Sequence, residues 1–311
     1  MLPSSNQSDG AVDVIIATRD RIQLLQQSVA AISAQDYPGL IRTTIVFDNT
    51  APRIDLERTT GNRQVRVMAN TRTPGLPGAR NTGLLAATAP WVGFCDDDDA
   101  WRPQKLTQQL AVINARNALG CVSGIEVHFG EQRKMRIPDA TEITVAALSG
   151  SRMTGAHPST YLFDRARLLD SVGLVDEKLP FGYGEDYDLL LRAAEAGIIA
   201  VHAGVGADIL WHPGGSYFSQ RWEAMADGLE YLLDKHPVIS KNKRGNAWME
   251  GQRAFALAAQ HNQRGNAIRT AYRSLAMDVR EPRAYLALLV AAGLIRPATI
   301  VKALNARGRG I

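Results

Sequence analysis

Four consecutive aspartates, Asp96 to Asp99, stand in the stretch WVGFCDDDDAW, directly after an apolar run that reads as a buried strand. Carboxylates packed so closely repel one another, and something positive has to offset that repulsion. A divalent cation is the economical answer. Oxygen ligands from one or two carboxylates, completed by phosphate and water, describe a Mg²⁺ or Mn²⁺ site of the nucleotide-handling kind. The competing reading is a solvated acidic turn.

Other segments carry chemistry less specifically. Thr73 to Leu84 (TPGLPGARNTGL) brings two prolines, several glycines and Arg80-Asn81 to the start of a helix, where backbone N–H groups and a guanidinium can face an anion. A plain loop and helix cap explains it as well. Phe181 to Arg192 (FGYGEDYDLLLR) is a glycine-aromatic turn followed by a helix with Glu185, Asp186 and Asp188 in its first turn. The helix dipole favours acids there whatever their role, but the glycine-aromatic approach points to a substrate-facing loop. In Trp211 to Ser216 (WHPGGS), His212 is a candidate metal ligand or phosphate donor.

Elements must hold these groups in place. The run VDVIIA, Val12 to Ala17, reads as a strand, followed by a helix over about Ile22 to Ala34. Further strands are expected at Thr43 to Phe47, Val65 to Met68 and Trp91 to Cys95, with helices near Pro77 to Ala87 and Pro103 to Leu119. Alternating strands and helices imply an α/β fold with a mostly parallel, doubly wound (Rossmann-like) sheet flanked by helices. In such sheets ligands bind beyond the carboxyl ends of the strands. Three strand ends carry polar groups there: Thr18, Arg19 and Asp20 after the first, Asp48 and Asn49 after the second, and the aspartate run after the fourth. From about Arg221 the chain turns Ala- and Leu-rich and predicts an all-helical C-terminal appendage, with helices near 220–236, 246–261, 266–277 and 282–292.

In this order, VDVIIATRDR, TIVFDNT, GLPGARNTGL, FCDDDDAW, GEDYDLLLR and WHPGGS together resemble family-2 glycosyltransferases of the GT-A fold, over roughly residues 12 to 216. FCDDDDAW is similar to that family's Asp-x-Asp signature. The resemblance implies transfer of a sugar from a nucleotide diphosphate donor, a UDP-sugar first among them, to an acceptor hydroxyl, with inversion and with Mn²⁺ or Mg²⁺ as cofactor. It puts Thr18, Arg19 and Asp48 at the base and ribose; a carboxylate at 48 can accept from the imide N3–H of uracil or thymine, or from guanine N1–H. It puts Arg80 near the phosphates, Asp96 near the ribose and Asp98 on the metal with His212, with Asp97 at the signature's variable position. It makes Asp186 the catalytic base and Glu185 a contact to acceptor or sugar. Ala17 departs from a frequent proline, and Asp48-Asn49 from a frequent Asp-Asp. The acceptor is expected to be a carbohydrate, a lipid-linked sugar or a small molecule, read largely by a variable loop at Glu131 to Thr154.

The expected organisation is a disordered segment over residues 1–11, the catalytic domain over 12–218 and the helical region over 219–311. A sugar-1-phosphate nucleotidyltransferase shares such a sheet, but needs a glycine-rich basic loop after the first strand, where this chain has ATRDR. A non-catalytic sugar-nucleotide-binding or scaffold protein is the other alternative, and the presence of both acidic motifs argues against it. A retaining hydrolase needs two carboxylates about 5 Å apart flanking the bond, whereas the strongest acidic cluster here reads as a metal site.

With 311 residues, 45% hydrophobic and 21% charged, the composition excludes wholesale disorder and collagen-like repeats. Cys95 and Cys121 lack zinc-ligand spacing, so a cytoplasmic setting is expected. The start of the chain lacks a signal pattern, and the longest apolar stretch, Ala284 to Ile295, is too short to span a bilayer. Residues 221–311 hold 15 Lys and Arg against 7 Asp and Glu. That excess suits an anionic lipid surface, as peripheral membrane contact through the C-terminal helices, or a polyanionic acceptor, while solvated helix faces explain it at least as well. No nucleic-acid partner is expected, because the charge lacks interleaved aromatics and any helix-turn-helix or zinc signature.

Overall fold

The computed structural model describes residues 10–210, 221–260 and 262–306. The expected disordered segment therefore lies outside the described residues except for Gly10 and Ala11. The described chain forms two compact units. The first comprises the described parts of Met1–Thr144, Met153–Glu177 and Asp186–Leu210. The second comprises Val145–Arg152, Lys178–Glu185 and the described residues after Leu210.

Eleven strands build one sheet in the described first unit: β1 (Val12–Thr18), β2 (Ile41–Phe47), β3 (Arg58–Thr60), β4 (Arg63–Ala69), β5 (Trp91–Phe94), β6 (Ala100–Trp101), β7 (Gly120–Phe129), β8 (Gln132–Arg136), β9 (Glu142–Ile143), β10 (Leu162–Asp164) and β11 (Ile199–Leu210). Their order is β3-β4-β2-β1-β5-β10-β7-β11-β6, with β8 beside β7 and β9 beside β11. The pairs β4/β2, β2/β1 and β1/β5 are parallel, as are β7 and β11. The short strand β10 runs antiparallel between β5 and β7 and joins these two parallel blocks.

The parallel block follows from its residues. Val12, Val14, Ile15 and Ile16 are all buried, the near-continuous apolar run of a strand covered on both faces. Asp13 interrupts the run and is itself fully buried, but it accepts from Arg42 at 2.8 Å and from the Thr88 and Ala89 amides at 2.6 and 2.7 Å. The helix Leu76–Ala86 crosses close above the sheet because position 83 is glycine: a Cβ there would stand 2.5 Å from Ile15 Cγ2. That close approach brings Arg80 down towards the strand ends.

The second unit is helical, with Val145–Gly150, Trp222–Lys235, Pro237–Lys241, Lys243–Ala258, Arg264–Met277, Pro282–Ala291 and Pro297–Ala306. Small residues at the crossings let the helices approach; Gly228 faces Tyr183, and Gly251 faces Glu281. Two features differ from expectation. The stretch Glu131 to Thr154 is not one long loop but holds β8, β9 and the helix Val145–Gly150. The helical unit also takes in Val145–Arg152 and Lys178–Glu185, which hydrophobic periodicity after Arg221 has no means of revealing. Among the described residues no helix is long and apolar enough to cross a membrane.

Candidate active site

The four aspartates form a turn after β5, closed by the Asp99 amide donating to the Asp96 carbonyl at 3.2 Å. Their side chains alternate: Asp97 and Asp99 are buried, and Asp96 and Asp98 lie partly open. Each inward carboxylate has its own partners. Asp97 accepts from Thr18 Oγ1 at 2.6 Å and from Arg21, while Asp99 accepts from Ser159 Oγ and lies 3.6 Å from His157 Nδ1. Of the outward pair, Asp96 takes Arg80 at 2.7 Å and Asp98 takes Arg21. Arg80 is itself buried, with its guanidinium over the Phe94 ring at 5.7 Å.

Burial weighs on the carboxylates of the turn. Burial, reinforced by the neighbouring carboxylates and opposed by Arg21, pushes the Asp98 carboxyl up to about 6. Burial with the charges of Asp96 and Asp98 holds Asp99 well above the usual carboxylate range. Burial raises Asp97 too, against the pull of Arg21 and Thr18. Oxygen donors under this mutual repulsion are the ligand chemistry a hard divalent cation needs. Asp96, Asp99 and His157 also offer ligand atoms within 4.8 Å of one another. A second such group, Glu126, His128 and Asp208, already has Arg102 at 2.6 Å from Glu126 and 2.8 Å from Asp208.

The neighbouring strand ends build a polar wall. Asp48 follows β2, its amide donating to the Thr18 carbonyl at 2.8 Å, and Asn49 accepts a φ of 54° to turn the chain. The Asp48 carboxylate accepts from Asn70 Nδ2 and the Gly75 amide, both at 2.9 Å, and Arg19 approaches at 3.4 Å. Gly75 stands at φ 120°, a conformation suited to glycine, which aims its N–H at Asp48.

Glu177 braces the loop from behind, accepting from Arg72, from the Thr73 amide at 3.3 Å and from Asn81 Nδ2 at 2.6 Å. Burial works against its ionised form, but these hydrogen bonds win and lower its pKa to about 2. A carboxylate held below its unfolded value near 4.3 adds stability above that value, and the gain is lost as pH falls towards 2. Glu177→Gln is therefore expected to cost about 1–3 kcal/mol at neutral pH. It should also flatten the acid limb of the stability curve below about pH 4.3, as checked by urea unfolding across pH.

Asp186 opens the helix Glu185–Ala196 and is partly open, whereas Glu185 is buried. Tyr161 Oη donates to the Asp186 carbonyl at 3.3 Å. Tyr161 also accepts at its carbonyl from the Phe94 amide at 3.4 Å, and two residues earlier Ser159 Oγ accepts from the Asp96 amide at 3.0 Å. The short segment 157–161 thus ties the acidic turn and the start of the Asp186 helix to one support. Asp188, in the same first turn, is fully buried and paired with Arg192 at 2.7 Å, a structural pair.

Within the first unit the strand ends bring together Thr18, Arg19, Asp48, Arg80 and Asp96 to Asp98, and the segment 157–161 connects Asp186 to them. His212 lies outside the described residues. Sequence reasoning missed Arg21, Asn70, His157, Ser159 and Glu177. Of these only Arg21 carried a usable signal, as a second arginine in the polar loop after the first strand.

A twisted, largely parallel sheet with an acidic turn at the end of its central strands, polar groups at the neighbouring strand ends and trailing helices is the architecture of GT-A glycosyltransferases. The profile described as glycosyl transferase family 2 matches residues 13–169, just over half the chain, and the chain belongs to that family. The succinoglycan biosynthesis protein ExoO of Rhizobium meliloti is 27% identical over 199 residues, covering 60% of this chain and 56% of that protein. The chain thus matches little more than half the length of that relative. The Escherichia coli UDP-Glc:alpha-D-GlcNAc-diphosphoundecaprenol beta-1,3-glucosyltransferase WfgD is 22% identical over 262 residues, covering 79% of this chain and 99% of its own. The fold is similar to that of S. aureus TarS 1–349 in complex with UDP-GlcNAc, with a TM-score of 0.61, 17% identity, and coverage of 96% of this chain and 92% of that one.

Proposed function

We propose that the chain transfers a sugar from a nucleotide diphosphate donor to an acceptor hydroxyl, inverting the anomeric carbon in a metal-dependent, in-line displacement. The observation that carries this reading is the alternation in the acidic turn. Two carboxylates, Asp97 and Asp99, are held inward by Thr18, Arg21 and Ser159, and two, Asp96 with Arg80 and Asp98 with Arg21, lie towards the open side. That pattern supports Asp96 and Asp98 as the working pair of an Asp-x-Asp signature.

Asp48 and Thr18, with Arg19 beside them, fit the base and ribose of the donor. The fixed donors on Asp48 keep it aimed, so it can accept an N–H from the base. Arg80 holds a guanidinium where charge develops on the departing diphosphate. Asp98, with His212, would hold Mn²⁺ or Mg²⁺. When bound, such an ion neutralises the leaving diphosphate. Asp186, partly open at a helix N-terminus, accepts the proton of the acceptor hydroxyl as attack proceeds. Glu185 serves the acceptor or sugar.

A UDP-sugar is the favoured donor, since WfgD uses UDP-Glc by name and TarS binds UDP-GlcNAc. A carbohydrate, lipid-linked or small-molecule acceptor follows from the same likeness. The test is a thermal-shift panel of nucleotide sugars with Mn²⁺. A ligand that binds only the native state at a hundred times its Kd adds about 2.7 kcal/mol, so one UDP-sugar should raise the melting temperature clearly, and a chelator should cancel the rise. A panel without any stabilising nucleotide sugar would overturn the reading.

A further inference from the structure

After Arg283 in its first turn, the helix Pro282–Ala291, PRAYLALLVA, is apolar on every side. Ala284, Ala287, Val290 and Ala291 form its buried face. The other side stays apolar, with Tyr285 exposed and Leu289, one turn on, half-buried. A helix that is hydrophobic all round is normally enclosed all round, and this one is not.

The open row runs past both ends of the helix. Tyr285 Oη donates to the Val279 carbonyl at 2.8 Å, which sets Val279 beside it. At the other end Gly293 takes a left-handed φ of 76°, and the Leu294 amide donates back to the Leu289 carbonyl at 3.0 Å. Such a helix stop folds Leu294 towards the last turn. Leu294 and Val279, 72% and 67% exposed, are the most exposed large apolar side chains among the described residues.

Cations flank the row. Arg280 follows Val279, Arg283 stands in the first turn, and Arg296 comes two residues after Leu294. Residues 262–306 carry seven Arg and Lys against two acids, Asp278 and Glu281. Glu281 is buried and paired with Arg283 at 2.9 Å, which cancels both charges, while Asp278, beside Val279, accepts from the Arg280 amide at 2.9 Å.

We propose that this edge docks on an anionic lipid surface. Val279, Tyr285, Leu289 and Leu294 enter the headgroup boundary, and Arg280 and Arg296 meet lipid phosphates. A second copy of the chain fits poorly. Pairing two such rows sets arginines against arginines, and a ten-residue helix, about 15 Å long and about 10 Å wide, offers roughly 150 Å², far short of the roughly 800 Å² per partner that a stable dimer buries. This inference stands apart from the catalytic reading, since vesicle binding needs neither donor nor acceptor.

The test floats the full chain with vesicles of phosphatidylcholine alone, and of equal parts phosphatidylcholine and phosphatidylglycerol. The chain is expected to partition onto the anionic vesicles and to be released by high salt. Val279→Glu with Leu294→Glu should reduce partitioning at least about tenfold. Arg280→Gln with Arg296→Gln should weaken it about fivefold per arginine. All four side chains are peripheral, so melting curves should match the parent, and the arginine pair keeps the test open should the glutamate pair misfold. Equal binding to both vesicle types, absence of binding, or insensitivity to both double substitutions would overturn the proposal. So would a concentration-dependent dimer, seen by light scattering, that the glutamate pair abolishes.

Discussion

Asp186→Asn is expected to lower turnover by about 10²- to 10⁴-fold, the usual worth of a general base, while donor affinity stays within about twofold. The side chain is partly open, and its backbone is held by Tyr161, so the amide should occupy the place of the carboxylate without moving the helix. What is lost is the capacity to take a proton. Single-turnover transfer read alongside calorimetric donor binding separates the two quantities. Turnover equal to the parent's would remove Asp186 from the base role, and a loss of donor affinity of the same size as the loss of turnover would make it a binding residue instead. Asp188→Asn is the contrasting control, because that carboxylate is buried on Arg192 and its loss should lower stability.

The second large effect is on cation binding. Asp98→Asn should abolish metal-dependent donor binding, seen as loss of the Mn²⁺-dependent heat in calorimetry, because it removes the outward carboxylate at the centre of the repulsive turn. Arg21→Gln should move the other way. Its guanidinium occupies both Asp97 and Asp98, and removing a positive charge within contact distance should tighten Mn²⁺ about tenfold in the absence of donor. If Mn²⁺ binds the Asp98 variant as it binds the parent, and His157→Ala abolishes binding instead, the ion belongs to Asp96, Asp99 and His157.

Much of this site is local in sequence, which is why it can be read there. Each candidate strand-end residue follows directly on an apolar run, and in a parallel sheet the place after a strand is the place where ligands bind. The run of four aspartates stands out for an equally local reason, since carboxylates packed so closely repel one another unless a positive charge or solvent offsets it. The helical region after Arg221 was legible from its loss of β-branched runs, although its helices at Pro237–Lys241 and Pro297–Ala306 fell outside the periodic segments.

The chain by itself determined which groups are available: an acidic turn after a buried strand, an arginine in a helix that glycines let lie close to the sheet, and an acid opening a later helix. These follow from periodicity and composition, properties that each short segment carries alone. Only the tertiary structure decided which aspartates face inward, because the choice depends on Thr18, Arg21 and Ser159, up to 79 residues away, arriving to bond them. It also decided that Glu177 braces the Asp48 wall and that residues 157–161 tie Asp186 to the turn. Burial and hydrogen bonding between remote segments exist only once the sheet has formed, so a carboxylate's partners, and with them its charge and its role, are set by the fold.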